Sequence, residues 1–267
     1  MTITIKRKYK YPIYFLISLA ILVPVIYAFI TIKQINTQPK QEIKNVVTEA
    51  EKVEPIKQIE NTEKYKITKD FKLTPVNGDA NKKVVLLTID DGPSAQSVDI
   101  VKILSEQNVK AIFFINGMNH KAHPEAIKEE FNAGHMIGNH TWSHKHLKKL
   151  KDTEAQKEID SNSDLIKKET GQDTLFFRAP YGILSTFAKK HTGEQGMIEF
   201  NWSDSALDWE RNSRDKKVFI NNITKSLRPG SIILMHEHTW SRDSLPDLIT
   251  EIKAKGYTFV DPKNIVK

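Results

Sequence analysis

From Lys83 onward, short apolar runs alternate with segments whose apolar residues recur at helical spacing. Val84-Val85-Leu86-Leu87-Thr88-Ile89 is an unbroken apolar or β-branched run, stopped by Asp90-Asp91-Gly92-Pro93. Such a run, ended by turn residues, predicts a strand buried on both faces, as in a parallel sheet. Ser97–Gln107 follows with Val98, Val101 and Leu104 on one helical face. Further strands are expected at Ala111–Ile115, Met136–Asn139, Thr174–Phe177, Met197–Trp202 and Ser231–Met235. Helices are expected near Pro124–Asn132, Glu154–Glu169, Leu184–Lys190 and Lys216–Leu227, and Leu245–Lys255 and Tyr257–Val260 complete the series. Alternation of this kind implies an α/β fold with a mainly parallel sheet. The number of units predicts a (β/α) barrel or a distorted one, with a doubly wound open sheet as the alternative.

The pattern before Lys83 is different. Tyr11 to Ile32 contains no charged residue, which is long enough to cross a bilayer as a helix. Lys6, Arg7, Lys8 and Lys10 precede it without an acid, so the positive-inside rule places residues 1–10 in the cytoplasm. Pro24 lies within the run and is tolerated in membrane helices. A cleaved signal peptide, with Ala28 as the small residue at the cut, is the alternative; the length of the run favours a retained anchor. Residues 33–81 are rich in Lys, Glu, Gln, Asn and Thr and too poor in apolar residues to fold alone, so they read as a solvated extracellular stalk. Residues 82–267 then form the exported domain.

Composition narrows the chemistry. The formal net charge is +7, but basic residues are interspersed with acids over the 267 residues, which does not make a nucleic-acid footprint. There is no cysteine, so disulfides and thiolate sites are excluded and any metal must be held by His and carboxylates.

The polar residues of interest follow the predicted strands: Asp90 and Asp91 the first, His140 and His144 the third, Arg178 the fourth, Asp204 and Asp208 the fifth, His236 the sixth. In a barrel those ends share one rim. Adjacent carboxylates repel, so either one is protonated or a cation lies nearby. His140 and His144 are four apart, which on a helical turn aims both imidazoles one way. With one carboxylate they make a His-His-Asp set that leaves a coordination position open. His-x-x-x-His alone is weak, being common in polar loops. Strand alternation predicts that Asp90 and Asp91 point in different directions.

Five stretches together resemble the NodB-like polysaccharide deacetylases, the fourth family of carbohydrate esterases. They are Thr88-Ile89-Asp90-Asp91-Gly92-Pro93, His140-Thr141-Trp142-Ser143-His144, Arg178-Ala179-Pro180-Tyr181, Asp208-Trp209 and Leu234-Met235-His236, in the family's order. The resemblance implies a distorted, incomplete (β/α) barrel and metal-dependent removal of N-acetyl groups from amino sugars. It implies Asp91, His140 and His144 as metal ligands, Asp90 as general base and Arg178 as the residue holding that base. It further implies the Tyr181 backbone N–H as oxyanion donor, His236 as general acid, Asp208 as the residue orienting it, and Trp209 and Leu234 as the lining of the acetyl pocket. Ile89 stands where Phe is usual and Glu237 where Asp is common. Three residues rather than two separate Asp204 from Asp208, so either acid could reach His236.

The implied cofactor is Zn2+, with Co2+, Ni2+ or Mn2+ compatible with three N/O ligands. The expected partners are a polysaccharide and, through the anchor, a membrane, with no nucleic acid and a monomeric state. An anchored domain facing outward suits a Gram-positive envelope, where peptidoglycan N-acetylglucosamine or N-acetylmuramic acid is the accessible substrate. Poly-N-acetylglucosamine and chitin oligomers are the alternatives within the class. An inactive glycan-binding module, or an amidase for small amides, are the alternatives outside it.

Overall fold

The protein's computed structural model describes residues 63–267. The expected cytoplasmic tail, transmembrane helix and first part of the stalk lie outside the described residues. Among the described residues no helix is long and apolar enough to cross a membrane.

The strands are β1 (Tyr65–Ile67), β2 (Leu73–Pro75), β3 (Val84–Gly92), β4 (Ala111–Ile115), β5 (Met136–Asn139), β6 (Phe176–Phe177), β7 (Ile198–Glu199), β8 (Asp204–Ser205), β9 (Ser231–His236) and β10 (Thr258–Phe259). The helices are α1 (Ser97–Glu106), α2 (Ala126–Asn132), α3 (Asp152–Thr170), α4 (Thr186–Glu194), α5 (Lys216–Thr224) and α6 (Thr239–Ala254). The main sheet runs β7-β6-β5-β4-β3-β9-β8, with β10 paired to the start of β3. Every pairing in it is parallel.

Side-chain alternation separates an incomplete barrel from the doubly wound sheet. Val85, Leu87 and Ile89 of β3 pack with Ile100 and Leu104 of α1, Ile127 of α2, Phe219 and Ile223 of α5 and Leu245, Leu248, Ile249 and Ile252 of α6. Val84 and Leu86 point the other way, into a cluster with Ile112, Phe114, Phe176, Phe200 and Ile232 that no helix enters. A doubly wound sheet carries helices on both faces; here they lie on the outside and side chains fill the concave face. The terminal strands β7 and β8 do not pair with each other, so the barrel is not closed.

Three expectations are corrected. The predicted strand Met197–Trp202 is only two residues long as β7, and the chain re-enters the sheet as β8. α6 begins at Thr239, ahead of Leu245, and carries Pro246 within it. The third concerns the stalk: β1 and β2 pair antiparallel in residues assigned to the linker. Tyr65 is fully buried, Leu73 nearly so, and both belong to the inner cluster. The Leu73 N–H donates to Gly230 O at 2.8 Å. Gly230 has φ +81, and a Cβ there would sit 2.2 Å from Leu73 O. Few apolar residues spaced among Lys and Thr hide this hairpin from a compositional reading.

Candidate active site

The inward-facing rows of the sheet end in the polar residues. Val84, Leu86, Thr88 and Asp90 form one row of β3; Ile232, Leu234 and His236 form the corresponding row of β9, and Asp90 and His236 are in register. Met136 and Gly138 of β5 lead to His140 just past its end, and Phe176 leads to Arg178 past β6. The apolar period that builds the inner core therefore delivers the chemistry one step above it. Together with Asp91, His144, Tyr181, Gly182, Trp202 and Trp209, four of these residues (Asp90, His140, Leu234 and His236) line a cavity of about 470 Å³.

By strict alternation Asp91 would face the helical layer. Instead the β3–β4 register shifts between Asp90 and Gly92, a bulge. Asp91 adopts φ +67, a conformation disfavoured for a side chain bearing a Cβ. The result is that both carboxylates reach His140: its Nε2 lies 3.6 Å from Asp90 Oδ2 and 3.6 Å from Asp91 Oδ1. His144 Nε2 is 3.5 Å from the same Asp91 oxygen. The expectation of a helical turn between the two histidines is also corrected. Residues 140–144 are an irregular loop in which Thr141 and His144 have φ of +71 and +54. The loop still brings the imidazoles to 4.9 Å between ring centres.

Asp91, His140 and His144 form a group whose ligand atoms all lie within 4.8 Å of one another. Their chemistry fits a divalent cation. His140 Nδ1 is 2.7 Å from the Arg178 carbonyl oxygen, which can only accept, so the proton sits on Nδ1 and Nε2 presents a lone pair to the cavity. Burial pushes the His140 pKa down to about 3, keeping the ring neutral. Asp91 Oδ1 is shielded from solvent and has no hydrogen-bond partner in the protein. A buried acceptor in that condition is costly unless a cation satisfies it.

Asp90 is held differently. Its Oδ1 accepts from Arg178 Nη1 at 2.6 Å, and Arg178, fully buried, donates from Nη2 to Asn201 O at 3.1 Å. The guanidinium carbon sits 4.3 Å from the centre of the Phe114 ring. Burial raises the Asp90 pKa above the carboxylate norm, against the opposing charge of Arg178.

Across the cavity, Asp208 Oδ1 is 2.7 Å from His236 Nδ1, and Asp208 Oδ2 accepts from the His236 N–H at 2.6 Å and from Ser241 Oγ at 2.9 Å. Burial opposes a charged imidazole, but the hydrogen bond and charge of Asp208 outweigh it and raise His236 to about 9. Asp204 does not take part. It is in register with Ile233, whose side chain points to the helical layer, and its oxygens accept from Ser226 Oγ at 2.7 Å and Ser203 Oγ at 3.0 Å. The open choice between the two acids is thus decided geometrically by the phase of β8. Trp209, exposed, meets His236 edge-on at 5.6 Å, and Tyr181 stands edge-on to His144 at 4.7 Å with its ring stacked on His146.

Trp202 and Gly182 also line the cavity, and the motif reading did not single them out. His238 falls into a second group with Asp208 and His236, and its nearness in sequence to His236 was the available signal. Glu158, on α3, was missed because its partners are fifteen residues away in the loop between the histidines.

A family profile described as "Polysaccharide deacetylase" matches residues 77–198. A peptidoglycan-N-acetylglucosamine deacetylase of Bacillus cereus is 36% identical over 190 residues, covering 69% of this chain and 68% of that protein. The peptidoglycan-N-acetylmuramic acid deacetylase PdaA of Bacillus subtilis is 35% identical over 188 residues, 68% of this chain and 71% of that one. Among solved structures, a peptidoglycan N-acetylglucosamine deacetylase in complex with 4-naphthalen-1-yl-N-oxidanyl-benzamide superposes with TM-score 0.63 at 36% identity, covering 68% of this chain and 87% of that one. A CE4 family pseudoenzyme from Bacillus anthracis superposes with TM-score 0.63 at 28% identity, covering 68% and 64%. With the barrel, the strand-end carboxylates and histidines, and relatives that share two thirds of its length, this chain belongs to the polysaccharide deacetylase family, the NodB-like carbohydrate esterases of family four.

Proposed function

We propose that this chain hydrolyses the N-acetyl groups of peptidoglycan amino sugars, N-acetylglucosamine or N-acetylmuramic acid, with zinc held by Asp91, His140 and His144. The observation that carries the reading is one cavity with a metal-ligand set and a buried carboxylate on one wall and an Asp–His pair on the other. His236 Nε2 and Asp91 Oδ2 are 3.9 Å apart across it. The names of the relatives support the choice of glycan.

When bound, a divalent cation at this group supplies Lewis acidity toward the amide carbonyl and toward water. Asp90 has one oxygen fixed by Arg178, so its Oδ2 is left to accept the proton of the attacking water. Arg178 holds that carboxylate in a single orientation, since its own guanidinium is locked between Asp90, Asn201 and Phe114. His236, its Nδ1–H committed to Asp208, carries a second proton on Nε2 and delivers it to the departing nitrogen as the C–N bond breaks. Acetate and a free amine are the products. The Tyr181 N–H is assigned to the developing oxyanion, a contribution that is often large. Trp209 and Leu234 close around the acetyl methyl.

The sequence supports the rest of the placement. The uncharged run at 11–32 and the basic residues before it suit a single-pass anchor with the catalytic domain outside a Gram-positive cell. The test is acetate release by the zinc-loaded full chain from peptidoglycan digests, poly-N-acetylglucosamine and chitin oligomers. Release is expected from peptidoglycan, with a loss of about 10²- to 10⁴-fold in Asp90→Asn. Absence of release from all three glycans, with binding retained, would instead favour a glycan-binding module, a possibility raised by the pseudoenzyme of the same fold.

A further inference from the structure

We propose that Glu158 of α3 is a positioning residue that sets the metal affinity of the site by fixing the loop between His140 and His144; this rests on the metal-dependent reading above. Glu158 is 7% exposed and does not line the catalytic cavity. Its Oε2 accepts from the Ser143 N–H at 2.7 Å and its Oε1 from Ser143 Oγ at 2.6 Å. Its backbone carbonyl accepts from the Trp142 N–H at 2.8 Å, and Lys145 Nζ lies 3.2 Å from Oε1. One residue therefore holds Trp142 and Ser143, between the two histidines, and Lys145, just after the second.

The loop requires such a grip. Thr141 and His144 both occupy the left-handed region, which residues with a Cβ hold only where their surroundings over-determine it. The rest of the surroundings come from the same helix face. Asn162, one turn after Glu158, donates to Asn139 Oδ1 at 3.0 Å and to Ile115 O at 2.8 Å. Asn139 Oδ1 in turn accepts from the Thr141 N–H at 2.8 Å, while Asn139 Nδ2 donates to Ile159 O at 2.8 Å and Ser163 Oγ at 2.9 Å. Spacings of four along α3, Glu158 with Asn162 and Ile159 with Ser163, put these groups on one face. His140 sits at a strand end and is fixed by the sheet and by the Arg178 carbonyl. His144 has no such strand behind it. Its backbone N–H reaches only Thr141 Oγ1, at 3.2 Å, so its place depends on how residues 141–143 are held. Loosening Glu158 releases one of three ligands without touching any of them.

The test measures zinc affinity of the metal-free full chain by competition with a chromophoric chelator. Glu158→Ala should weaken zinc binding by about 10- to 100-fold, the range seen when partners of metal ligands are removed. Glu158→Gln keeps one acceptor oxygen and should lose less, and Ser143→Ala, which deletes only the hydroxyl bond, should fall in the same direction. Lys145→Ala removes a solvent-exposed ion pair and should leave the affinity within about twofold. At limiting zinc the deacetylation rate of Glu158→Ala falls with metal occupancy, while at saturating zinc kcat returns and KM for the glycan is unchanged. Circular dichroism of the metal-free variants checks that they remain folded. If Glu158→Ala does not fold, Glu158→Gln and Ser143→Ala carry the decision. Wild-type zinc affinity in the folded variants overturns the proposal. Failure of the wild-type chain itself to bind zinc sinks the proposed function and this inference together, whereas unchanged variants sink this inference alone.

Discussion

Asp204 and Asp208 have the same chemistry, and four positions of chain decide which one matters. Asp204 shares the outward phase of Ile233 and spends its oxygens on two serines, while Asp208 follows the strand and wraps around His236. Asp208→Asn should therefore lower kcat by about 10²- to 10⁴-fold, the usual weight of a general acid. Asp204→Asn should leave acetate release within about threefold and cost roughly 1 kcal/mol of stability through its altered serine bonds. Steady-state acetate release and urea unfolding on the two variants check this. The candidate residues that the structure gathers around one cavity were legible because strand ends carrying His, Asp and Arg are conspicuous against apolar runs. Their directions were less so. Alternation predicted that Asp90 and Asp91 diverge, whereas both reach His140, because a bulge is a backbone event that Asp-Asp-Gly permits without announcing. The His-x-x-x-His spacing picked out two rings that do converge, but through an irregular loop rather than a helical turn, since a loop pinned from outside can converge two rings as well as a helix can.

At the scale of elements, the inward rows explain why strands make both core and site. Gly138 occupies the inward row of β5, and a Cβ there would come within 2.4 Å of the Phe114 ring. That ring in turn supports Arg178. Gly138→Ala should cost about 1–3 kcal/mol in urea unfolding, as overpacking does. It should also lower activity, because displacing Phe114 moves the guanidinium that holds Asp90. Retained activity in the destabilised variant would show that Phe114 and Arg178 are not coupled. The long helices and buried strands were legible from periodicity. β7 is a two-residue remnant of the strand expected at Met197–Trp202, β8 was not legible because two residues leave no period to read, and α6 starts at Thr239, ahead of the expected Leu245, with Pro246 in its interior.

At the scale of the molecule, two predictions concern stability. The family profile begins at residue 77, yet Tyr65 and Leu73 are core residues. A chain starting at residue 77 should lose on the order of 4 kcal/mol relative to one starting at 61, from two large side chains no longer buried. Urea midpoints of the two forms decide whether the hairpin is part of the domain. The second concerns pH. His135 is fully buried against Phe113, its Nδ1 accepts from the Ala111 N–H at 3.2 Å, and burial, with Lys110 and Lys263 nearby, lowers its pKa to about 4. The folded state thus resists a proton that the unfolded chain binds at about 6.5. Its contribution is present above that value and is lost as pH falls from about 6.5 toward 4, by roughly 3 kcal/mol in all. His135→Gln, which retains an acceptor but does not titrate, should show a correspondingly flatter fall in urea midpoint between pH 7 and pH 4.5.

The hairpin of β1 and β2 also fixes a direction of approach. Leu73 bonds to Gly230, just ahead of β9, and Tyr65 bridges to Ile265, while the reactive groups stand at the far ends of the strands. The hairpin thus packs at the end of the sheet opposite the cavity. None of the residues lining the cavity comes from the hairpin, so the surface offered to a substrate is built from the strand ends and their loops alone.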